Sequence, residues 1–277
     1  MLAPSHNLVL LIPAYNEEDR IGPVVRDYAQ ALRRDYAARF KIVVVLNGCR
    51  DNTLGVVQAA AKDYPEIEYL NIAAPVGKGG ALIEGLKLAP QADLIGYVDA
   101  DGATAPRAFL DLVKRTGEAD CVIASRWLPG AVLHQQQTSK RQFASRVFHL
   151  IVQCLFLMNI RDTQCGAKVM RREAVERIHP YLRIADMAFD INLLFALKRA
   201  GFTILEVPTE WTDKIGSKVL LGRTSLTMFL STVRVRLIYS PFYKLLRPLR
   251  PVEGWIYRRL RAPQPLPGPP HGDEPNQ

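Results

Sequence analysis

With 277 residues, 48% of them hydrophobic and 23% charged, the chain is long enough for one large α/β domain with an appendage, and so ordinary a composition excludes disorder of the whole. Its net charge of +9 is uneven: between Lys214 and Arg261 eleven Lys or Arg stand against one acid, Glu253, which puts +10 there and −1 in all the rest. A local basic segment suggests an anionic surface, membrane headgroups or nucleic acid, while Cys49, Cys121, Cys154 and Cys165 lack the spacing of a zinc site or disulfide framework and make a reduced, cytosolic-side location the default.

Met1 to Asn7 lacks the basic-then-apolar layout of a signal peptide. Leu8 to Ile12 is a continuous apolar run, as expected of a strand buried on both faces. Pro13-Ala14-Tyr15-Asn16-Glu17-Glu18 closes it, and a helix is expected from there to about Tyr36. Lys41 to Leu46 reads as a second buried strand. The turn Asn47-Gly48-Cys49-Arg50-Asp51-Asn52-Thr53 follows, then a helix ending near Tyr64-Pro65. Ile67 to Ile72 is a third strand, and Gly77-Lys78-Gly79-Gly80 opens a helix through about Leu88. Leu94 to Val98 is a fourth strand, ending abruptly in Asp99-Ala100-Asp101-Gly102. A helix over Pro106 to Arg115, with proline near its start where it is tolerated, leads to a fifth strand, Cys121 to Ala124. Ser125-Arg126-Trp127 comes next. This alternation predicts an α/β fold with a doubly wound, mostly parallel sheet. The polar turns after strands one, two, four and five would lie along one sheet edge.

From Gln142 the pattern changes. Gln142, Arg146, His149 and Gln153 recur at helical spacing as a narrow polar stripe, and apolar residues from Val147 to Phe156 cover the rest. Such a helix, over about 142–158, is either deeply buried or lies in a membrane interface. The longest apolar stretch, Val147 to Ile160, is too short for a bilayer span of about 20 residues. A polar loop from Arg161 to Gly166, a helix over Asp186 to Arg199 and a strand over Thr203 to Val207 follow. From Gly216 the chain is basic and amphipathic. The Pro- and Gly-rich tail, 262–277, is expected to be disordered.

Asp99 and Asp101 point the same way on an extended chain and can converge on one divalent cation. Oxygen ligands suit Mg²⁺ or Mn²⁺. The same residues also favour a plain turn. Asn16, Glu17 and Asp51 can hydrogen-bond a nucleobase or ribose, or Asn16 and Glu17 can simply cap a helix. Lys78 beside its glycine turn suits a phosphate or a base edge. The turn is not a P-loop, because Gly79 stands where Ser or Thr is needed, and no G-x-G-x-x-G follows the first strand. A metal at the two aspartates would stabilise a leaving diphosphate. The pattern therefore suggests a nucleotide diphospho-sugar donor.

The four motifs at Pro13–Glu17, Asn47–Thr53, Gly77–Ala81 and Asp99–Asp101 match, in order, those of glycosyltransferase family 2. In the second half, Arg161-Asp162-Thr163-Gln164-Cys165-Gly166-Ala167-Lys168, Ala188-Phe189-Asp190-Ile191, Glu206-Val207-Pro208, Trp211-Thr212 and Gly216-Ser217-Lys218 resemble the dolichyl-phosphate β-glucosyltransferases and other polyprenyl-phosphate glycosyltransferases. The resemblance runs from about Leu8 to Lys244. It implies a GT-A fold over residues 1–215 and a membrane-associating segment over 216–261. It implies that Pro13, Ala14, Tyr15, Glu17, Asn47, Asp51, Lys78 and Asp99 hold the nucleotide sugar, and that Asp99 and Asp101 bind Mg²⁺ or Mn²⁺. Arg126, Arg141, Ser145 and Lys218 would approach the acceptor phosphate, and Asp162 and Asp190 would face the reacting sugar as the catalytic pair. The second turn usually carries two acids before its glycine, where this chain has Leu46 and Asn47. The family usually has an acid at the place of Asn192.

The activity this implies is an inverting hexosyl transfer, with glucose favoured, from a nucleotide-diphosphate sugar to a polyprenyl phosphate. UDP-glucose is the favoured donor, with GDP-mannose the other candidate. The protein would sit peripherally on the cytoplasmic side of a membrane, with no nucleic acid partner. A phosphate monoester has a second pKa of about 6, so such an acceptor needs no strong base. A hydroxyl acceptor, as in a soluble family 2 enzyme, would need one, and Asp162 or Asp190 would be the candidates. A non-catalytic nucleotide-sugar or nucleic-acid binding protein is the reading from another class.

Overall fold

The structure is a computed structural model and describes residues 6–134, 139–212 and 221–240; within these, residues 139–145 and 221–227 are described by their backbone alone. Lys218, the segment beyond Ser240 and the 262–277 tail lie outside the described residues.

The apolar runs become strands in the order expected. These are β1 (Leu8–Ala14), β2 (Phe40–Asn47), β3 (Ile67–Ile72), β4 (Leu94–Tyr97) and β5 (Cys121–Ser125). Four short strands follow: β6 (Val132–Leu133), β7 (Lys168–Arg171), β8 (Ile204–Pro208) and β9 (Glu210–Trp211). The main sheet runs β3-β2-β1-β4-β7-β5-β8. All its pairings are parallel except those of β7, which lies antiparallel between β4 and β5. β6 and β9 pair separately.

Helices cover both faces, which is why β1 and β2 show no polar alternation. Strand residues divide by parity. Leu8, Leu10, Ile12, Ile42 and Val44 pack with α1 (Ile21–Asp35), α2 (Thr53–Asp63) and α4 (Pro106–Lys114). Val9, Leu11, Val43 and Val45 pack on the other face, with α3 (Gly77–Gly85), the end of α5 (Ser139–Phe156), α6 (Arg172–Ile178), α7 (Phe189–Arg199) and Val235 of α8 (Leu221–Ile238). Each fully buried aliphatic side chain contributes about 1.5–3 kcal/mol.

Three departures from expectation have physical causes. α3 stops at Gly85 and a 3₁₀ turn over Leu86–Gln91 replaces its last turn, because Pro90 lacks an amide and cannot continue an α-helix. β7 was not anticipated; its four residues gain their partners from β4 and β5, far away in sequence. The third is a contact not anticipated: α8, within the segment expected to be basic and membrane-associating, docks on the domain, where Val235 and Thr232 are buried, the Ser231 hydroxyl donates to Asp186, and the Tyr239 ring meets Phe195 edge-on at 5.0 Å.

The fold also explains where a ligand belongs. The chain moves outward from β1 through β2 to β3, then returns to the far side of β1 as β4. Crossover direction reverses there, and the crevice beyond the carboxyl ends of β1 and β4 is the switch point where open α/β sheets bind ligands. The turn after Ala14 and the aspartates after β4 flank that crevice.

Candidate active site

The turns after β1 and β2 are locked together. Asn16 takes φ of 54°, a left-handed conformation that asparagine tolerates. Its Oδ1 accepts the Arg50 amide at 2.8 Å. Asp51 accepts the amides of Glu18 and Thr53, each at 3.1 Å, and Glu18 in return accepts the Asn52 amide at 2.8 Å. The Glu17 amide donates to Thr53 Oγ1 at 2.8 Å. Asn47 is buried and accepts the Val76 amide at 2.7 Å, tying in the loop before α3. The turns after β1 and β2 thus form one braced rim that carries Glu17 and Asp51; Pro13 and Ala14 end β1 just before it, Tyr15 follows them, and Ala14 and Asn47 are buried. Burial raises the Glu17 carboxyl above its ordinary range, and the Arg20 guanidinium opposes the shift.

Lys78 is delivered by the first turn of α3. Gly77 has φ of 82°, and a Cβ there would lie 2.4 Å from the Ala185 carbonyl oxygen, so only glycine fits the approach. Lys78 Nζ reaches Asp99 Oδ1 at 2.6 Å and stands 3.9 Å from Asp190 Oδ2. Burial opposes the charge on Lys78, but Asp99 and Asp190 outweigh it and raise the pKa. Asp101 Oδ1 accepts the Ala103 amide at 2.9 Å.

The second oxygen of Asp99 faces Gly166. A Cβ on Gly166 would sit 2.0 Å from Asp99 Oδ2. We expect Gly166→Ala to push that carboxylate aside, cost about 1–3 kcal/mol in stability and raise the donor KM. Urea unfolding and steady-state kinetics would check it, and a variant with native donor KM would refute the close approach.

The two carboxylates expected to face the sugar are both buried and both engaged. Asp162 accepts Arg126 Nε at 2.7 Å, Arg126 Nη2 at 2.9 Å and the Arg126 amide at 2.9 Å. Glu206 fixes the loop beneath, accepting the amides of Arg161 and Asp162 at 2.8 and 2.9 Å. Asp190, in the first turn of α7, accepts Lys168 Nζ at 2.6 Å and the Tyr97 hydroxyl. Burial raises both carboxyls, but Arg126 at Asp162, and Lys168 with Lys78 at Asp190, reverse this and hold them below the usual range. Such anions are weak proton acceptors. Arg126 also stacks over the Trp211 ring at 5.3 Å, and Trp127 meets the His149 ring at 5.2 Å.

Arg126, Asp162, Lys78, Asp99, Asp101 and Asp190 therefore gather at one sheet edge. Arg141 and Ser145 lie on α5, where backbone alone is described. The expectation at Lys218 lies outside the described residues. Reading by sequence assigned no role to Lys168, Tyr97 or Glu206. Lys168 and Glu206 stood inside quoted motifs, and the available signal was a lysine opening an apolar strand. Asn192 is structural: its Oδ1 accepts the amides of Arg183 and Ile184, and its Nδ2 donates to the Tyr239 hydroxyl at 2.9 Å.

The donor set suits a hydrated divalent cation. Asp99, Asp101 and Asp190 against Lys78 and Lys168 leave one negative charge in excess. Burial raises the Asp101 carboxyl, and the neighbouring Asp99 charge adds to the shift. A cation between Asp99 and Asp101 would relieve that repulsion, and carboxylate oxygens suit Mg²⁺ or Mn²⁺. Among the described residues no three His, Cys, Asp or Glu are grouped so as to hold a metal ion by themselves.

Known proteins share the sequence pattern and the fold. The family profile of Glycosyl transferase family 2 matches residues 9–179. A dolichyl-phosphate beta-glucosyltransferase of Dictyostelium discoideum is 32% identical over 247 residues, covering 84% of this chain and 74% of that protein. The Homo sapiens protein of the same name is 30% identical over 255 residues, covering 86% and 77%. Among solved structures, glucosyl-3-phosphoglycerate synthase of Mycobacterium tuberculosis, crystallised with Mn²⁺, UDP and glucosyl-3-phosphoglycerate, aligns with a TM-score of 0.63. It is 19% identical, and the match covers 83% of this chain and 80% of that one. Its fold is the GT-A fold, and the seven-stranded sheet described above is the same architecture. The chain belongs to glycosyltransferase family 2.

Proposed function

We propose that this glycosyltransferase moves a glucosyl group, with inversion, from UDP-glucose to a polyprenyl phosphate of the dolichyl type, as a peripheral protein on the cytoplasmic face of a membrane. The observation that carries this reading is the state of the two buried carboxylates. Asp162 and Asp190 are each pinned by a cation and held ionised. A hydroxyl nucleophile would call for a base with a pKa near the working pH. A phosphate monoester arrives already ionised, and cations then matter more than bases. The names of the relatives support the acceptor class, and UDP-glucose is named for a crystallised fold neighbour.

In this reading the rim from Pro13 to Glu17, with Asn47 and Asp51, holds the nucleoside. Asp99 and Asp101 hold Mg²⁺ or Mn²⁺, which when bound supplies positive charge against the departing diphosphate. Lys78 lends a further cation to the diphosphate side. Arg126, set by Asp162 and backed by Trp211, meets the acceptor phosphate and orients it for in-line attack at the anomeric carbon. The acceptor's lipid would run toward α5 and α8, which expose Val147, Leu150, Phe229 and Leu237. No helix among the described residues is long and apolar enough to cross a membrane, so these helices would lie in the interface.

A panel of UDP- and GDP-sugars with a short polyprenyl phosphate and Mn²⁺ or Mg²⁺, read by mass spectrometry of the lipid fraction, tests the proposal. A hexosyl phospholipid from UDP-glucose, with retention on anionic vesicles, is expected. Transfer confined to hydroxyl acceptors, without vesicle binding, would replace the proposal with a soluble enzyme.

A further inference from the structure

Lys168 enters the reading above only as a cation that pins Asp190. It is fully buried at the start of β7, beside the apolar Val169 and Met170. Its ammonium donates to the Cys165 carbonyl at 2.7 Å and to Asp190 Oδ1 at 2.6 Å, and lies 5.4 Å from the centroid of the Tyr97 ring. The Tyr97 hydroxyl donates to the same Oδ1. A buried lysine is costly unless paired, so this one would be explained as a closed structural pair if the pair ended there. It does not end there. Asp190 Oδ2 faces Lys78 at 3.9 Å, and Lys78 reaches Asp99 at 2.6 Å. Charges alternate along Lys168, Asp190, Lys78 and Asp99, from the buried sheet to the open crevice.

Lys78 therefore has two carboxylates within reach. Lys168 and Tyr97 both bond Oδ1 of Asp190, which weakens that carboxylate as a competitor and leaves Lys78 closer to Asp99. Without Lys168 the bare Asp190 would draw the Lys78 ammonium inward, away from the crevice.

We propose that Lys168 is a positioning residue: by holding Asp190 it sets where the Lys78 ammonium stands, and through Lys78 it sets the affinity of the crevice for a nucleoside diphosphate. The inference rests on the reading that Lys78 meets the donor diphosphate. It acts through a chain of charges, so its signature is non-additivity with Lys78.

The test is calorimetric binding of UDP in the presence of Mn²⁺. Lys168→Met leaves Asp190 charged and is expected, where it melts cooperatively, to bind UDP about tenfold more weakly than the native protein. Adding Asp190→Asn removes the competing charge and is expected to restore native affinity. In a Lys78→Met background neither change is expected to cost anything further. Unchanged affinity in folded Lys168→Met, or a loss that Asp190→Asn does not restore or that persists with Lys78→Met, overturns the proposal. Lys168→Met strands a buried carboxylate; should it not melt cooperatively, Tyr97→Phe carries the test. It keeps the ring, and a loss of about twofold that vanishes with Lys78→Met is expected. No loss, or a loss that persists, overturns the proposal. A native protein that binds no UDP sinks the donor reading and this inference together; native binding with additive losses sinks this inference alone.

Discussion

Asp99→Asn and Asp101→Asn are each expected to lower transferase activity by about a hundredfold or more, with little change in melting temperature. Both carboxylates stand beyond the end of β4, at the crevice between β1 and β4. Asp99 is about one third exposed, with Lys78 on one oxygen and Gly166 against the other. Converting it to an amide removes a charge from the crevice without opening a cavity, so stability changes little. On the proposed reading, what is lost is the anionic clasp for a divalent cation, and with it the stabilisation of the departing diphosphate. Mn²⁺ titration in the presence of UDP, followed by electron paramagnetic resonance, separates this from a folding defect. Both variants should bind the ion more weakly than the native protein. Full activity in either would remove that carboxylate from the metal site.

Asp162→Ala should have the largest effect on stability, a loss of about 3–5 kcal/mol. Its carboxylate is almost fully buried and satisfies a guanidinium and a backbone amide of Arg126. Truncation leaves Arg126 charged, largely buried and unpaired. An exposed pair is the control: Arg33 and Glu66 also form a two-pronged bridge, but in water. Glu66→Ala should therefore move the unfolding midpoint little. The pH dependence has a definite sign. Asp162 has a lowered pKa when folded, so its contribution is complete above the ordinary carboxylate range of about 4 and is lost as pH falls through the lower folded value. Acid unfolding of native protein and Asp162→Asn should show a shallower loss in the variant. Identical acid profiles would count against a charged, paired Asp162.

Legibility from the sequence differed by element, and the reason was physical each time. β1 and β2 were plain because strands covered on both faces are continuous apolar runs. Asp99 and Asp101 were plain because an apolar run ended in two acids two positions apart. β7 was not, since it opens with a lysine and is only four residues long. The basic segment that holds α8 stands out in composition, whereas the packing of α8 on the domain depends on Ser231, Thr232, Val235 and Tyr239, which do not. Asn47 and Asp51 were expected to meet the nucleotide. The structure shows that they hold neighbouring loops through backbone amides, a duty invisible in a residue type.

The amino-acid order by itself determined most of the elements and the motifs that place the chain in its family, because periodicity and turn chemistry act over a few neighbouring residues. Tertiary structure decided which charge neutralises which. Asp162 meets Arg126 across 36 positions and Lys168 meets Asp190 across 22, pairings that no local pattern encodes. A buried charge is tolerated when its partner is within reach, and only the folded sheet brings those partners to one edge.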